Sequence, residues 1–90
     1  FHWAIIEAMT YFVYMLLCEG NSFYLGTTDD IDRRLAKHIA GKGARYTRSH
    51  KPLKVVYQEE VADKSTALKR EAELKKLTHL QKEKLFAILK

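Results

Sequence analysis

Residues 11–18 have the sequence YFVYMLLC, followed by EGNS at 19–22 and FYLG at 23–26, and this run contains the clearest evidence of the fold. The first eight residues are apolar and rich in aromatic side chains, which predicts a strand buried on both faces and therefore central in a sheet. Gly20 and Asn21 tolerate a positive φ, and the β pattern resumes at Phe23. The stretch therefore predicts a β-hairpin.

A helix and a third strand are predicted after the hairpin. Asp29 or Asp30 can cap a helix that runs to about Ala40, where the sequence Gly-Lys-Gly at 41–43 ends it. A basic loop follows. Pro52 then precedes residues 53–59, whose composition favours a third strand, because proline is tolerated at the first position of a strand or on an edge strand.

Two more helices complete the pattern. The first of them opens at Asp63 or Ser65 and runs to about Leu77. Thr78 and Gln81 have the spacing of a capping box, which predicts a last helix that continues to about residue 89. The element order is ββαβαα, and the expected fold class is α+β, with a three-stranded antiparallel sheet packed with helices.

The length of 90 residues allows one domain and excludes two. We expect a single domain over residues 11–90, preceded at residues 1–10 by an appendage that is a tag, upstream sequence or an oligomer contact. Cys18 is the single cysteine, so an intramolecular disulfide is excluded and the cytoplasm is the expected location. The apolar runs are too short to span a bilayer, so no membrane partner is expected.

The positive charge is concentrated in one segment. The chain has a net charge of +5, and residues 42–54 contain five basic residues and no acidic one. The basic residues are Lys42, Arg45, Arg48, Lys51 and Lys54, with Tyr46 and His50 between them. Basic residues at every third position suit a chain that follows phosphate groups, because neutralised phosphates release counterions. A solvated loop without a partner is the alternative.

Ionisable residues occupy apolar positions of the first predicted helix. Its inward face is expected to carry Ile31, Arg34, Leu35 and His38, with Ile39 beside them. Arg34 must either extend to the rim of the core or bind an anion, since a buried unpaired charge is unfavourable. His38 is either a structural histidine or a functional one.

The second predicted helix contains a similar anomaly at Glu71. Its apolar stripe consists of Ala67, Leu68, Leu74 and Leu77. Glu71 fills the position that this stripe leaves open. A carboxylate there either pairs with a cation such as Arg34 or binds a hard metal ion through oxygen. An internal salt bridge between Arg34 and Glu71 is the structural alternative.

The spacing of these residues resembles the GIY-YIG nuclease family. The tripeptide FVY at 12–14 corresponds to the first signature triplet, and YLG at 24–26 corresponds to the second. Arg34, His38 and Glu71 then follow in the family's order. The first triplet lacks the signature glycine, and valine and leucine replace the two isoleucines. The similarity covers residues 11 to about 77, and the sequence at 41–48 is similar to small single-domain members.

The resemblance implies a metal-dependent phosphodiesterase of the endonuclease type. It places Tyr14 and Tyr24 at the nucleophilic water, Arg34 on the scissile phosphate and Glu71 on one divalent ion, Mg²⁺ or Mn²⁺. His38 matches a histidine found in part of the family. These roles suit the chemistry, because cleavage needs an activated water and positive charge on the phosphoryl oxygens. Tyr24 is the favoured general base.

The implied partner is nucleic acid, with DNA preferred to RNA, in repair or recombination. The basic segment would bind it with little sequence preference, and a protein partner can supply targeting. Gly26 would let the substrate approach, because it lacks a side chain. Two alternatives are a non-catalytic nucleic-acid-binding module of the same fold and a protein-interaction domain held by the internal salt bridge.

A shared site constrains the hairpin. Tyr14 and Tyr24 must project from one face of the sheet. The residue numbers of any two residues that lie opposite each other in the hairpin must therefore add up to an even number. A three-residue loop at 19–21 satisfies this condition. The wider expectation is that both phenols, Arg34 and Glu71 converge in one solvent-accessible hollow.

Overall fold

A computed structural model describes residues 10–88 as a three-stranded antiparallel sheet with helices on both faces. The strands are β1 (Tyr11–Cys18), β2 (Ser22–Thr28) and β3 (Pro52–Val61), and the helices are α1 (Ile31–Ile39), α2 (Arg45–Ser49), α3 (Lys64–Lys75) and α4 (His79–Ile88). The predicted α+β class and sheet are confirmed. The observed element order contains one helix more than the predicted order, because part of the predicted basic loop forms α2. Nine residues of the predicted appendage and the helix end at residue 89 lie outside the described residues.

The hairpin has the geometry that the sequence predicts. The sheet order is β2-β1-β3, so β1 is central. The hairpin loop contains residues 19–21, of which the last two have φ values of 81° and 55°. In this register Tyr14 lies opposite Gly26, two positions after Tyr24. Alternate residues of a strand share a face, so both tyrosines project from the same face.

Each face of the sheet carries its own apolar cluster. One face packs against α3, and its buried members are Val13, Met15, Leu25, Val56, Ala67 and Leu74. The other face packs against α1 and α2, and its cluster consists of Tyr14, Leu16 and Cys18 with Tyr24, Ile31, Leu35, Tyr46 and Val55 packed on them. Burial on both sides explains why β1 is continuously apolar. Helices α1 and α3 therefore lie on opposite faces.

Two residues predicted on buried helix faces are exposed. Ile39 is 57% exposed and Leu68 is 49% exposed. Ile39 is the last residue of α1, where the helix leaves the core. Helix α3 buries Ala67 and Leu74, which share one face of the helix with Glu71 at helical spacing. Leu68 lies to the side of this buried face.

Side-chain caps define the helix starts as predicted. Asp30 and Asp63 each accept a hydrogen bond from the backbone N–H three residues later, at 3.0 and 2.8 Å. Thr78 and Gln81 form the predicted capping box, with hydrogen bonds of 2.9 and 3.2 Å. Within residues 10–88, none of the helices combines the length and the apolar character needed to cross a membrane.

Candidate active site

A chain of buried hydrogen bonds begins at Tyr14 and connects β1 to α1 and α2. The Tyr14 hydroxyl lies 2.8 Å from His38 Nε2, and His38 Nδ1 lies 2.7 Å from Thr47 Oγ1. The Thr47 hydroxyl donates to the carbonyl oxygen of Ala44 at 2.9 Å. Tyr14, His38 and Thr47 are each at most 2% exposed, so these hydrogen bonds are shielded from bulk water.

The last hydrogen bond fixes the direction of the other two. A carbonyl oxygen can only accept, so Thr47 uses its single hydroxyl proton on Ala44. His38 Nδ1 must therefore carry a proton and donate it to Thr47, which leaves Nε2 of neutral His38 as an acceptor. The Tyr14 hydroxyl then donates to His38 Nε2. Phenol and imidazole are thus arranged for proton transfer from Tyr14 to His38.

Burial favours the neutral forms of both rings. Loss of hydration raises the pKa of Tyr14 to about 12, an effect that the Arg34 guanidinium opposes and that the charges of Tyr24 and Glu71 increase. Loss of hydration lowers the pKa of His38 below its ordinary 6.5, and the charge of Arg34 lowers it further. At neutral pH Tyr14 is therefore a phenol and His38 is an uncharged imidazole.

Arg34 and Glu71 reach Tyr14 from different sides. Arg34 is half-buried on α1, which packs on the face that carries Tyr14, whereas α3 packs on the opposite face. Glu71 nevertheless acts on the ionisation of Tyr14, and Tyr24 acts on Lys75, the ion-pair partner of Glu71. Because β2 is an edge strand, Glu71 can extend past it towards the tyrosines. Glu71 therefore lies within electrostatic range of Tyr14 although its helix packs on the other face from Arg34, and the convergence of the four groups in one solvent-accessible hollow stays a prediction.

The alternative prediction of an internal salt bridge between Arg34 and Glu71 is wrong. Glu71 Oε2 pairs with Lys75 Nζ at 2.6 Å, one helical turn along α3. Among residues 10–88, no ion pair joins Arg34 to Glu71. Arg34 therefore has no carboxylate partner in the described part of the chain, which leaves its charge uncompensated by an acidic side chain.

Two glycines make room for the rings of the site. A Cβ at Gly26 would lie 2.6 Å from the Tyr14 hydroxyl and 3.0 Å from the Tyr24 ring. A Cβ at Gly43 would lie 2.9 Å from His38 Cε1. These distances are too short for a carbon atom and an atom to which it is not bonded. The space beside Gly26 belongs to Tyr14, so the approach of a substrate there stays a prediction.

The basic segment is exposed and adjoins these rings. Its exposed side chains are Lys42, Arg45, Arg48, Lys51 and Lys54. On α2, Tyr46 stacks on His50 with ring centroids 4.2 Å apart and planes 7° apart. Tyr46 also stacks on Tyr24 at 6.2 Å, and Tyr24 meets the edge of His38 at 5.2 Å. We call His38, Tyr24, Tyr46 and His50 the aromatic row, which connects the basic surface to the buried hydrogen bonds.

Three residues of the site are not among the predicted ones. Thr47 orients His38 through a hydrogen bond, and Gly43 leaves room for the His38 ring. Both lie in a segment that the sequence predicts as a loop, where no periodicity indicates which side chains are buried. The ion pair of Lys75 could have been predicted from the sequence, because glutamate and lysine four residues apart on a helix commonly form an ion pair.

Comparison with known proteins identifies the family. Residues 10–84 match the GIY-YIG catalytic domain. A UPF0213 protein of Cupriavidus necator is 50% identical over 72 residues, which cover 80% of this chain and 78% of the relative. A UPF0213 protein of Neisseria gonorrhoeae is 46% identical over 81 residues, which cover 90% and 89%. The solution NMR structure of a UPF0213 protein from Bacillus halodurans shares 41% identity at a TM-score of 0.55, covering 89% of this chain and 85% of the other.

The chain therefore belongs to the GIY-YIG family, which confirms the resemblance seen in the sequence. Within that family its relatives are small single-domain proteins that carry the name UPF0213. The family supports a nuclease-type function with a nucleic acid substrate. GIY-YIG nucleases are generally metal-dependent.

Proposed function

We propose that the protein is a metal-dependent endonuclease that hydrolyses phosphodiester bonds, with DNA as its substrate and Tyr14 at its centre. The observation that carries the proposal is the directed hydrogen bond of 2.8 Å from the Tyr14 hydroxyl to His38 Nε2. A tyrosine whose pKa is about 12 supplies almost no phenolate at neutral pH. A phenol that can pass its own proton to an uncharged imidazole avoids this difficulty.

Tyr14 and His38 together move the proton of the attacking water. As the water attacks phosphorus, the Tyr14 oxygen accepts a proton from it, and the phenolic proton passes to His38 Nε2. The Nδ1–H hydrogen bond to Thr47 holds the resulting imidazolium in place. The sequence favours Tyr24 as the base, but its hydroxyl makes no hydrogen bond to any of residues 10–88, so Tyr14 is the better candidate.

Arg34 couples substrate binding to this proton transfer. In the free protein its guanidinium interacts with the buried Tyr14 hydroxyl. A substrate phosphate attracts the guanidinium, because a charge-assisted hydrogen bond to phosphate is stronger than one to a neutral phenol. When Arg34 turns to the phosphate, the Tyr14 oxygen becomes accessible to the attacking water.

Glu71 is the residue that would hold a divalent ion, Mg²⁺ or Mn²⁺. Within residues 10–88 no group of three His, Cys, Asp or Glu side chains could hold a metal ion, and Glu71 is the carboxylate proposed for this role. This donor set fits Mg²⁺, which keeps several waters and is otherwise bound by substrate phosphates. When bound, such an ion supplies a Lewis acid for the phosphoryl oxygens and the departing alkoxide.

The aromatic row favours a substrate with unpaired nucleotides. His50 is the end of this row remote from His38 and is half-buried, so a nucleobase can continue the stack on the part of the ring that solvent reaches. Bases in a duplex are already stacked, whereas bases of a single strand can stack on aromatic side chains. The exposed residues Arg45, Arg48 and Lys51 flank this position and can contact phosphates. We therefore assign single-stranded DNA, including unpaired ends and flaps, as the substrate form.

Binding and cleavage of matched oligonucleotides test this function. We expect the protein to bind and cut a single strand in preference to the duplex of the same sequence, with affinity falling as salt rises. His50→Ala should weaken single-strand binding about tenfold, since stacking contributes about 1–3 kcal/mol per base. Binding is measured by fluorescence anisotropy without metal, and cleavage with Mg²⁺ or Mn²⁺.

A matched control for His50→Ala is His79→Ala. His79 also contacts a ring, Phe23 at 5.0 Å, but it is exposed where His50 is half-buried, and it lies on α4, outside the basic segment. Its substitution should leave binding unchanged. Equal loss in both variants, or equal affinity for single strand and duplex, would reject the assigned substrate form, and an affinity independent of salt would reject phosphate contact.

The rate should depend on pH through His38. The proton transfer needs uncharged His38, whose pKa burial lowers, so we expect kcat/KM to rise with pH through a midpoint below 6.5. Because the pKa of Tyr14 is raised to about 12, the rate should not fall at the pH of about 10 where an ordinary tyrosine ionises. The measurement is kcat/KM at constant ionic strength and metal concentration. A midpoint above 6.5 would contradict the role of His38 as the proton acceptor.

A further inference from the structure

We propose that Lys75 is the internal counter-ion of the metal-binding carboxylate and that a divalent ion must displace it from Glu71. The inference rests on the proposed role of Glu71 in holding the metal. Lys75 Nζ lies 2.6 Å from Glu71 Oε2, so the ammonium binds one of the two carboxylate oxygens that a metal ion would use.

The position of this ion pair distinguishes it from an ordinary surface pair. The Glu71 side chain is 18% exposed, whereas Lys75 is 56% exposed, so the pair joins a mostly buried carboxylate to an exposed ammonium. A hydrated ion and a substrate phosphate would have to reach this carboxylate from the solvent. Tyr24 contributes to the raised pKa of the Lys75 ammonium, so the second tyrosine of the site lies within electrostatic range of the ion pair.

A second ion pair on α3 provides the contrast. Glu73 pairs with Arg70 at 3.1 Å, but its side chain is exposed, and Arg70 is also bound to Glu59 of β3. That network ties the helix to the sheet. Lys75 has Glu71 as its carboxylate partner within residues 10–88, so its release breaks one contact and leaves the fold intact.

The competition should set the metal affinity of the free protein. An ion pair of this exposure changes a binding constant by about two- to fivefold, which a metal ion with phosphate ligands readily overcomes. Lys75 therefore holds Glu71 in place and compensates its charge in the empty site. It also favours metal binding together with the substrate over metal binding alone, because the substrate phosphate adds ligands that help to displace the ammonium.

Mn²⁺ binding to the whole chain tests the inference. Free Mn²⁺ is measured by electron paramagnetic resonance for the wild type, Lys75→Met and Lys76→Met, each with Glu71 and with Glu71→Gln. We expect Lys75→Met to tighten Mn²⁺ binding about two- to fivefold. Lys76→Met removes the same charge from the neighbouring residue, which makes no ion pair with Glu71, and should change affinity much less. The effect of Lys75→Met should disappear with Glu71→Gln.

The outcomes separate this inference from the proposed function. If the wild type binds Mn²⁺ through Glu71 but Lys75→Met binds it equally or more weakly, the inference fails and the nuclease proposal stands. Equal tightening by Lys76→Met also overturns it, because the effect is then one of net charge. If neither the wild type nor any variant binds Mn²⁺, even in the presence of single-stranded DNA and beyond what the DNA binds by itself, both ideas fail. Circular dichroism verifies the fold, and Lys75→Gln replaces Lys75→Met if the latter does not fold.

Discussion

Glu71→Gln is expected to abolish metal-dependent cleavage, lowering kcat by about a hundredfold or more, while metal-free binding of single-stranded DNA changes less than about twofold. The amide keeps the size of the side chain but loses the charge that attracts a divalent ion. It also loses the ion pair with Lys75, whose exposed position limits the effect on the free energy of unfolding to about 1 kcal/mol. Single-turnover cleavage and anisotropy measure the two properties separately.

Glu73→Gln is the control for this substitution. It makes the same chemical change two residues away on α3, in an exposed side chain that pairs with Arg70. Cleavage by this variant should equal that of the wild type. Equal cleavage by wild type and Glu71→Gln would point to a contaminating nuclease. If the wild type binds DNA but does not cut it, the non-catalytic module is the better description, in agreement with Phe12 in place of the signature glycine.

Tyr14→Phe is expected to lower kcat by about 10²–10⁴, the range that general acid–base groups contribute. The variant keeps the ring that packs against Leu16 and Cys18 but removes the hydroxyl that donates to His38 Nε2. An acceptor left without a donor in a buried place also lowers the free energy of unfolding by about 1–3 kcal/mol. The rate is therefore measured well below the melting temperature, which is determined for each variant.

Phenylalanine substitutions at two other tyrosines serve as controls for Tyr14→Phe. Tyr57→Phe removes a hydroxyl that donates to Glu59 at 2.9 Å, in the cluster on the other face of the sheet, and should leave kcat unchanged. Tyr24→Phe should have a smaller effect on kcat than Tyr14→Phe. The reverse order, with Tyr24→Phe inactive and Tyr14→Phe active, would return the role of the base to Tyr24.

The sequence was sufficient for the parts of the fold that local chemistry decides. Gly20 and Asn21 set the length of the hairpin loop, and that length places Tyr14 and Tyr24 on one face. Asp63 and the pair of Thr78 and Gln81 cap their helices through contacts three residues apart. Such features depend on neighbours in the chain, so they can be derived without the tertiary structure.

The rest of the site depends on contacts between distant segments. Helical periodicity indicates that Glu71 shares a face with Ala67 and Leu74, but it does not indicate which side of the sheet that face packs against. Thr47 is separated from His38 by nine residues and is buried through the folding of α2 onto α1. The direction of the Tyr14 hydrogen bond follows from Thr47 and Ala44, so it becomes apparent in three dimensions.

Mounting Tyr14 on β1 ties the proposed catalytic phenol to the central strand of the sheet. The strand is paired on both edges and covered on both faces, so loosening at the periphery leaves the position of the phenol unchanged. The exposed arginines and lysines of residues 42–51 lie outside the sheet. Under the proposed function, mutations there would change which nucleic acids are captured while the position of Tyr14 stays unchanged, which would give the domain room to acquire new targets.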